Sequence, residues 1–217
     1  MTNDNYIDIP TWDNGFWIRT VFKTQDEFKI FVKSLFKVPG EYEFDETSFL
    51  FNSEARTFTA TGIYCTAPFN SRDYIKYWDT EKDKNQNGVI FKHGQHTWYL
   101  PREYYMWINF LQIYDKEENK YGFVKVRDAQ YHMALYELLA ELHGEHGAVL
   151  KKRQIASSYY HSAKIINLIW FEEGVTTKMG ASLKDYINEK GTWKFLTEYK
   201  NFLDQHTAWY RPMNPQK

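Results

Sequence analysis

The chain has 217 residues, of which 43% are hydrophobic and 25% charged, as is typical of a soluble globular protein of one domain or one domain plus an appendage. Its 27 lysines and arginines nearly balance 28 acidic residues, so the net charge of -1 excludes a global basic field that would attract nucleic acids or membranes. The single cysteine, Cys65, excludes an internal disulfide framework and a cysteine-rich metal site. We expect an intracellular protein, because the sequence shows neither a signal peptide pattern nor the roughly 20 consecutive apolar residues of a membrane span.

The first hundred residues predict a mixture of helices and strands. A Thr-x-x-Glu capping box at 24–27 precedes apolar positions with helical spacing, so we expect a short helix that ends near Pro39 and Gly40. β-Prone residues at 42–51 and 57–64 predict an antiparallel pair, with Cys65 as a small core residue at the end of its second strand.

Clear helix and turn signals follow in the middle of the chain. Ser71 is the expected N-cap of a helix that runs to about Lys84 and is followed by the turn-forming residues 85–88. Two short strands are predicted at 89–92 and 97–100. Next, Pro101 suits the first turn of a helix over 102–111, and the polar stretch 114–120 predicts a loop.

The second half of the chain has the order of elements found in an α/β nucleotide-binding unit. Asp128 is the expected N-cap of a helix that stops at Gly144, and the short apolar run 147–150 is typical of a buried strand in a parallel sheet. A polar loop over 151–157 leads into the helical spacing of 158–171. This order of helix, strand, loop and helix predicts an α/β fold.

A pair of acidic residues and a glycine are the informative features of the remaining residues. Glu172 and Glu173 are read as the solvated end of the preceding helix, and Gly191 separates two further amphipathic helices. Two histidine pairs, at 93 and 96 and at 143 and 146, have no acids or cysteines at ligand spacing, so we interpret them as structural or solvent-facing.

The basic loop before the 158–171 helix is the candidate functional site. Backbone N–H groups at a helix start have no intrahelical partner, and the helix dipole favours anions there. Lys151 and Arg153 would add full positive charges, and the Ser158 hydroxyl is placed to hold Mg²⁺ as in a P-loop. The ordinary Walker A pattern is not met, since Ala156 stands at its second glycine and Ser157 at its lysine. The alternative is a solvated surface turn.

These residues resemble the deviant Walker A loop of the large terminase subunits of tailed phages, a pattern close to K-x-R-x-x-G-x-[ST]. Lys151, Arg153 and Ser158 match that pattern, whereas Ala156 replaces its glycine. Upstream, the segment 126–132 resembles the family's adenine-binding segment, and Gln130 matches the glutamine that reads the adenine edge. A solvent-facing glutamine in a first helical turn is the alternative. The nucleotide-binding candidates are Gln130, Lys151, Arg153, Gln154, Ala156, Ser157 and Ser158.

The resemblance implies the ATP-binding part of a viral DNA-packaging motor. The expected fold is α/β: the start of a P-loop NTPase-like parallel sheet over 100–217, truncated before Walker B, preceded by an α+β N-terminal appendage over 1–99. The implied cofactors are ATP and Mg²⁺. The implied partners are double-stranded DNA, the portal protein, a small terminase subunit and further copies of the chain, in the host cytoplasm. We assign no catalytic residue and expect the isolated chain to be inactive, since no Walker B pair or nuclease acids follow Ser158.

A different class of function remains open. The chain contains 19% aromatic residues, so it is also compatible with a non-enzymatic module that binds a protein or a nucleic acid through an aromatic-rich surface. Trp98, Tyr104 and Trp107 would then contact the partner.

Overall fold

The computed structural model describes residues 7–10, 17–20, 52–93, 96–115, 118–124, 128–142, 144, 146–149, 156–180, 184–187 and 191–209. The helices are α1 (Ser53–Thr61), α2 (Arg72–Asn87), α3 (Arg102–Phe110), α4 (Asp128–Leu142), α5 (Ser157–Phe171), α6 (Lys184–Ile187) and α7 (Thr192–His206). The strands are β1 (Ile7–Pro10), β2 (Trp17–Thr20), β3 (Val89–His93), β4 (His96–Leu100), β5 (Gln112–Asp115) and β6 (Lys120–Phe123). The described part of the chain is therefore mostly helical.

The strands form three separate two-stranded antiparallel sheets, β1 with β2, β3 with β4 and β5 with β6. In the second sheet Val89 pairs with Leu100, which confirms the two short strands predicted there. Within the described ranges no strands pair in parallel. The parallel sheet of a P-loop domain thus stays a prediction.

The predicted strand over 57–64 is wrong, because α1 occupies most of it. Threonine and phenylalanine favour strands, but Ala55 is buried and Phe58 packs on the core, and this packing overrides the local preference. The amides at the start of the helix are capped from a distance: the side-chain oxygen of Asn109 accepts hydrogen bonds from the N–H groups of Glu54 (3.2 Å) and Ala55 (3.4 Å). Cys65 accordingly follows α1 outside any helix or strand, half-buried against the core.

The predicted buried strand at 147–150 is also wrong over its described residues. Residues 147–149 form no strand and are exposed, with Val149 at 43% exposure. The segment folds back on its own helix instead, because the Ala148 N–H donates to the Tyr136 hydroxyl of α4 at 3.0 Å. A side chain at Gly147 would stand 2.9 Å from the Tyr136 ring, so glycine permits this close approach.

The loop predicted at 114–120 is wrong at its ends, because residues 114 and 115 belong to β5 and residue 120 to β6. Asp115 pairs with Lys120, and the Tyr114 and Tyr121 rings contact each other at 5.2 Å. Asn119 adopts a left-handed conformation with φ 52°, and the Asp115 carboxylate accepts from the Glu118 N–H. Asparagine and aspartate are common in turns because they tolerate left-handed angles and bond to nearby backbone groups. Their presence here favoured the prediction of a loop over that of short strands.

Most helix boundaries agree with the sequence. Ser71 is the N-cap of α2, and its hydroxyl accepts from the Tyr74 N–H at 3.2 Å, although the helix continues three residues past Lys84. Gly144 follows α4 with φ 66°, and Gly191 precedes α7. The helix and strand predicted over 24–51 lie outside the described residues.

In the part of the chain that the structure describes, an aromatic-rich core surrounds α3. All residues of α3 after Arg102 are buried, and the helix packs against α1, α2 and α5, while α5 also packs against α7. The core includes Tyr64 and Trp78 from before position 100 as well as Tyr160 and Leu203 from after it. The predicted domain boundary at position 100 therefore stays a prediction, with core residues on both sides of it.

Candidate functional site

The first turn of α5 is where the structure can be compared with the predicted phosphate loop. Ala156 precedes the helix as its N-cap with φ 56° and ψ 19°, a left-handed conformation, and its carbonyl accepts from the Tyr160 N–H at 3.0 Å. This is the position at which the resemblance places glycine, the residue that most readily adopts such angles. Lys151, Arg153 and Gln154 lie outside the described residues.

The described residues at the start of α5 have two features that favour a nearby anion. Ala156 has no polar side-chain atom, so it cannot accept hydrogen bonds from the first amides of the helix as a serine or aspartate would. The first turn also contains no acidic residue that would compete for the positive end of the helix dipole. Among the described residues, the side chains of this turn therefore include neither an N-cap acceptor nor a carboxylate.

The two serines of the loop point in different directions. Ser157 is only 6% exposed, and its hydroxyl lies 3.2 Å from Nδ1 of His161, one turn further along α5. Ser158 is exposed. The structure thus brings Ala156, Ser157 and Ser158 together at one helix end, and of the two hydroxyls only that of Ser158 is on the solvent side, as a Mg²⁺ ligand needs to be.

Gln130 lies in the first turn of α4 and is 5% exposed. The solvent-facing alternative for this residue is therefore wrong. Its role in reading adenine stays a prediction.

A cluster of charged side chains joins α4 to α5 next to this turn. Glu137 accepts from His161 Nε2 at 2.8 Å and from Lys164 Nζ at 3.0 Å. Lys164 also pairs with Glu141. The ring nitrogen on the other side of His161, Nδ1, lies 2.7 Å from the Ser157 carbonyl oxygen. Both nitrogens of His161 thus face acceptors, an arrangement that suits the doubly protonated imidazolium.

The ionisation of this cluster follows from its contacts. The hydrogen bond to Glu137 raises the pKa of His161 above its ordinary value, against the opposing effect of burial. Burial alone would raise the pKa of Glu137, but the hydrogen bond from His161 and the charge of Lys164 outweigh it, so this pKa is lowered. Glu137 and His161 therefore favour their charged forms together.

Sequence reasoning missed His161 and Glu137. A signal was present, because Ser157 and His161 are four residues apart and so share one face of a helix, as do Glu137 and Glu141. Which residue of α4 meets which residue of α5 depends on how the helices pack, and spacing within one helix does not give that.

A second polar cluster is buried between α2 and α3. The Tyr105 hydroxyl donates to Glu81 at 2.7 Å, and Lys84 pairs with the other carboxylate oxygen at 2.5 Å. Glu81 is only 2% exposed, and burial raises its pKa. Because the buried Tyr105–Glu81 contact joins α3 to α2, it fixes the two helices to each other. Across the described residues, no group of three or more His, Cys, Asp and Glu side chains is arranged to hold a metal ion.

The aromatic residues of the alternative function are largely core residues. Tyr104 and Trp107 are both fully buried, so they cannot form part of a binding surface in this structure. Trp98 lies in β4. The aromatic-rich surface proposed from composition is thus not supported at the two positions of α3.

A cavity of about 810 Å³ lies at the opposite end of α5 from Ala156. Its lining includes Trp78, Lys82, Phe171, Glu173 and Trp209. The 15 residues of α5 span about 22 Å, so this cavity is separate from the first turn of the helix.

None of the helices that the structure describes is long and apolar enough to cross a membrane. Comparisons with protein family models, with curated proteins and with solved structures found no match to this chain.

Proposed function

We propose that the first turn of α5 binds the phosphates of ATP, and that the chain is the ATP-binding part of a viral DNA-packaging terminase large subunit. The observation that carries the proposal is the left-handed conformation of Ala156 directly before the helix. The resemblance places a glycine at this position, and a residue with φ 56° costs about 1 kcal/mol when it is not glycine. The backbone at position 156 therefore has angles that glycine adopts readily and alanine disfavours, which supports the proposal.

The residues around this turn have the chemistry that a nucleotide requires. Lys151 and Arg153 precede the turn in sequence and would supply positive charge, with the guanidinium able to bind phosphate in bidentate fashion. The backbone N–H groups of Ser157 and Ser158 would donate to phosphate oxygens. Gln154 belongs to the same loop. Gln130 is only 5% exposed, so its contact with adenine would require its side chain or its neighbours to move.

Mg²⁺ fits the same end of the helix through one ligand of this chain. The exposed Ser158 hydroxyl would contact it, and waters and phosphate oxygens would complete the shell, as is usual for this ion. When bound, Mg²⁺ neutralises charge on the phosphates.

The remaining parts of the proposal rest on the resemblance alone. They are the P-loop-like parallel sheet, the host cytoplasm, and partners that comprise double-stranded DNA, the portal protein, a small terminase subunit and further copies of the chain. The exposed segment 147–149 gives the parallel sheet no support. The proposal accordingly depends on the first turn of α5 and on the basic residues before it.

Protection against thermal unfolding tests the proposal. A non-hydrolysable ATP analogue with Mg²⁺, at about one hundred times its Kd, should stabilise the protein by about 2.7 kcal/mol, a rise in Tm of roughly 5–11 °C for a chain of this size. The double variant Lys151→Ala, Arg153→Ala should lose most of this protection. The matched control Arg72→Ala, Lys76→Ala removes two cations from the exposed face of α2 and should keep it.

Two results would contradict ATP binding at this turn. One is the absence of any shift in Tm at millimolar analogue. The other is equal protection of the wild type and the variant at positions 151 and 153, which would place the nucleotide elsewhere.

A further inference from the structure

His161 links the first turn of α5 to α4 through three contacts. Its Nδ1 lies 2.7 Å from the Ser157 carbonyl oxygen and 3.2 Å from the Ser157 hydroxyl, and its Nε2 lies 2.8 Å from the Glu137 carboxylate. Ser157 is the first residue of α5 and follows the left-handed Ala156. The imidazole thus ties the backbone of the candidate phosphate turn to a carboxylate on a neighbouring helix.

We propose that His161 and Glu137 are positioning residues that hold the first turn of α5 in the geometry that presents its amides to the phosphates of a nucleotide. This inference rests on the proposed function, because it concerns the same turn. Neither side chain needs to touch the nucleotide. Their contribution is to reduce the number of conformations that the turn loses on binding.

The chemistry of the imidazole makes this link depend on protonation. In the imidazolium both ring nitrogens donate, one to the Ser157 carbonyl and one to Glu137, whereas the neutral ring has a single donor. Loss of the proton therefore removes one donor and the charge that strengthens the hydrogen bond to Glu137. The Ser157 hydroxyl can then donate to Nδ1, so the ring no longer donates to the carbonyl of the first turn.

Further ionisable groups surround His161 on α3, α4 and α5. Glu137 on α4 favours the imidazolium, and Lys164 on the same face of α5 disfavours it. Glu141 on α4 pairs with Lys164, and Glu103 at the start of α3 interacts with both Lys164 and Glu141. Lys164 also keeps its own contact with Glu137 at 3.0 Å, so α4 and α5 stay connected when His161 is replaced.

The variant His161→Gln tests the proposal, with His206→Gln as the matched control. Glutamine keeps a hydrogen-bonding side chain but has no proton to lose between pH 6 and pH 9. His206 lies in α7, where its ring packs on Phe58 and Phe202, away from the α4 and α5 contact. Two quantities are measured in the full chain: the Kd of an ATP analogue with Mg²⁺ across this pH range, and hydrogen exchange of the amides of α5 without nucleotide.

The wild type and His206→Gln should bind the ATP analogue roughly tenfold more weakly above the pKa of His161 than below it. This factor is the change in Kd that remains after the pH-dependent change in Kd of His161→Gln has been subtracted. The subtraction removes the ionisation of the phosphates, which all three proteins experience equally. His161→Gln should bind more weakly than the wild type at the lower pH and show no such step. The amides of its first turn in α5 should exchange roughly tenfold faster than in the wild type.

The possible failures are distinguishable. If the wild type binds nucleotide and His161→Gln has the same affinity and the same pH profile, the positioning role is overturned while the proposed function stands. If the wild type binds no nucleotide at any pH, the proposed function is overturned, and equal amide exchange in the wild type and His161→Gln would then also overturn the positioning role.

Discussion

Replacing Asn109 by alanine should destabilise the protein by about 3 kcal/mol. Asn109 is fully buried in α3, and its side-chain oxygen caps the amides of Glu54 and Ala55, the second and third residues of α1. Loss of such a cap costs about 1 kcal/mol. The Ala55 amide belongs to a residue that is only 2% exposed, so water cannot replace the lost acceptor. A buried N–H group without an acceptor adds about 1 to 3 kcal/mol to the destabilisation.

Urea unfolding followed by circular dichroism measures this change. For a chain of 217 residues, about 3 kcal/mol corresponds to a fall in Tm of roughly 6–12 °C, which gives a second readout. The control Thr61→Ala removes a hydroxyl from the exposed last residue of α1 and should change the free energy of unfolding by less than about 0.5 kcal/mol.

The refuting result is a free energy of unfolding for Asn109→Ala within about 0.5 kcal/mol of the wild type. That result would mean that α1 does not depend on a cap from α3. The cap would then not be a reason why residues 57–61 form a helix in place of the predicted strand.

Four further predictions follow from individual side chains. Ala156→Gly should raise the free energy of unfolding by about 1 kcal/mol, because φ 56° costs glycine nothing, and a lower Tm would contradict the left-handed turn. Trp107→Ala should lower it by about 3 to 5 kcal/mol in urea, since the ring is fully buried, and a loss below about 1 kcal/mol would place that ring at the surface. Burial raises the pKa of Glu81, so the folded protein binds the carboxyl proton more tightly than the unfolded chain does. The free energy of unfolding of the wild type, relative to Glu81→Gln, should therefore fall as the pH rises from about 4 through the folded-state pKa. A difference that stays constant with pH would be the contrary result. The hydrogen bond to Glu137 raises the pKa of His161. The stability that protonated His161 adds, relative to His161→Gln, should therefore be fully present below a pH of about 6.5 and be lost as the pH rises through the folded-state pKa. Urea unfolding at several pH values measures this difference.

The candidate site was only partly accessible to sequence reasoning. The turn at 156–158 and the helix after it follow from local signals, namely a polar loop and apolar spacing. His161 and Glu137 are 24 residues apart, and their contact exists only because α4 and α5 lie beside each other. The burial of Gln130 and Trp107 likewise depends on neighbours that are distant in sequence.

The sequence by itself determined the helix ends that local chemistry controls. Ser71 caps α2 with its own hydroxyl, and Gly144 and Gly191 end or begin helices because glycine permits the required angles or interrupts the helical pattern. These features involve residues within one turn of each other. Local chemistry is therefore sufficient to account for these helix ends.

Tertiary structure alone decided the segments whose local preference is weak or misleading. Residues 53–61 contain strand-forming side chains but become a helix because Asn109 caps them and the core receives Phe58. Residues 147–149 are apolar but remain outside any strand because the Tyr136 hydroxyl binds the Ala148 amide. In both cases contacts between elements outweigh propensities that amount to less than about 1 kcal/mol per residue.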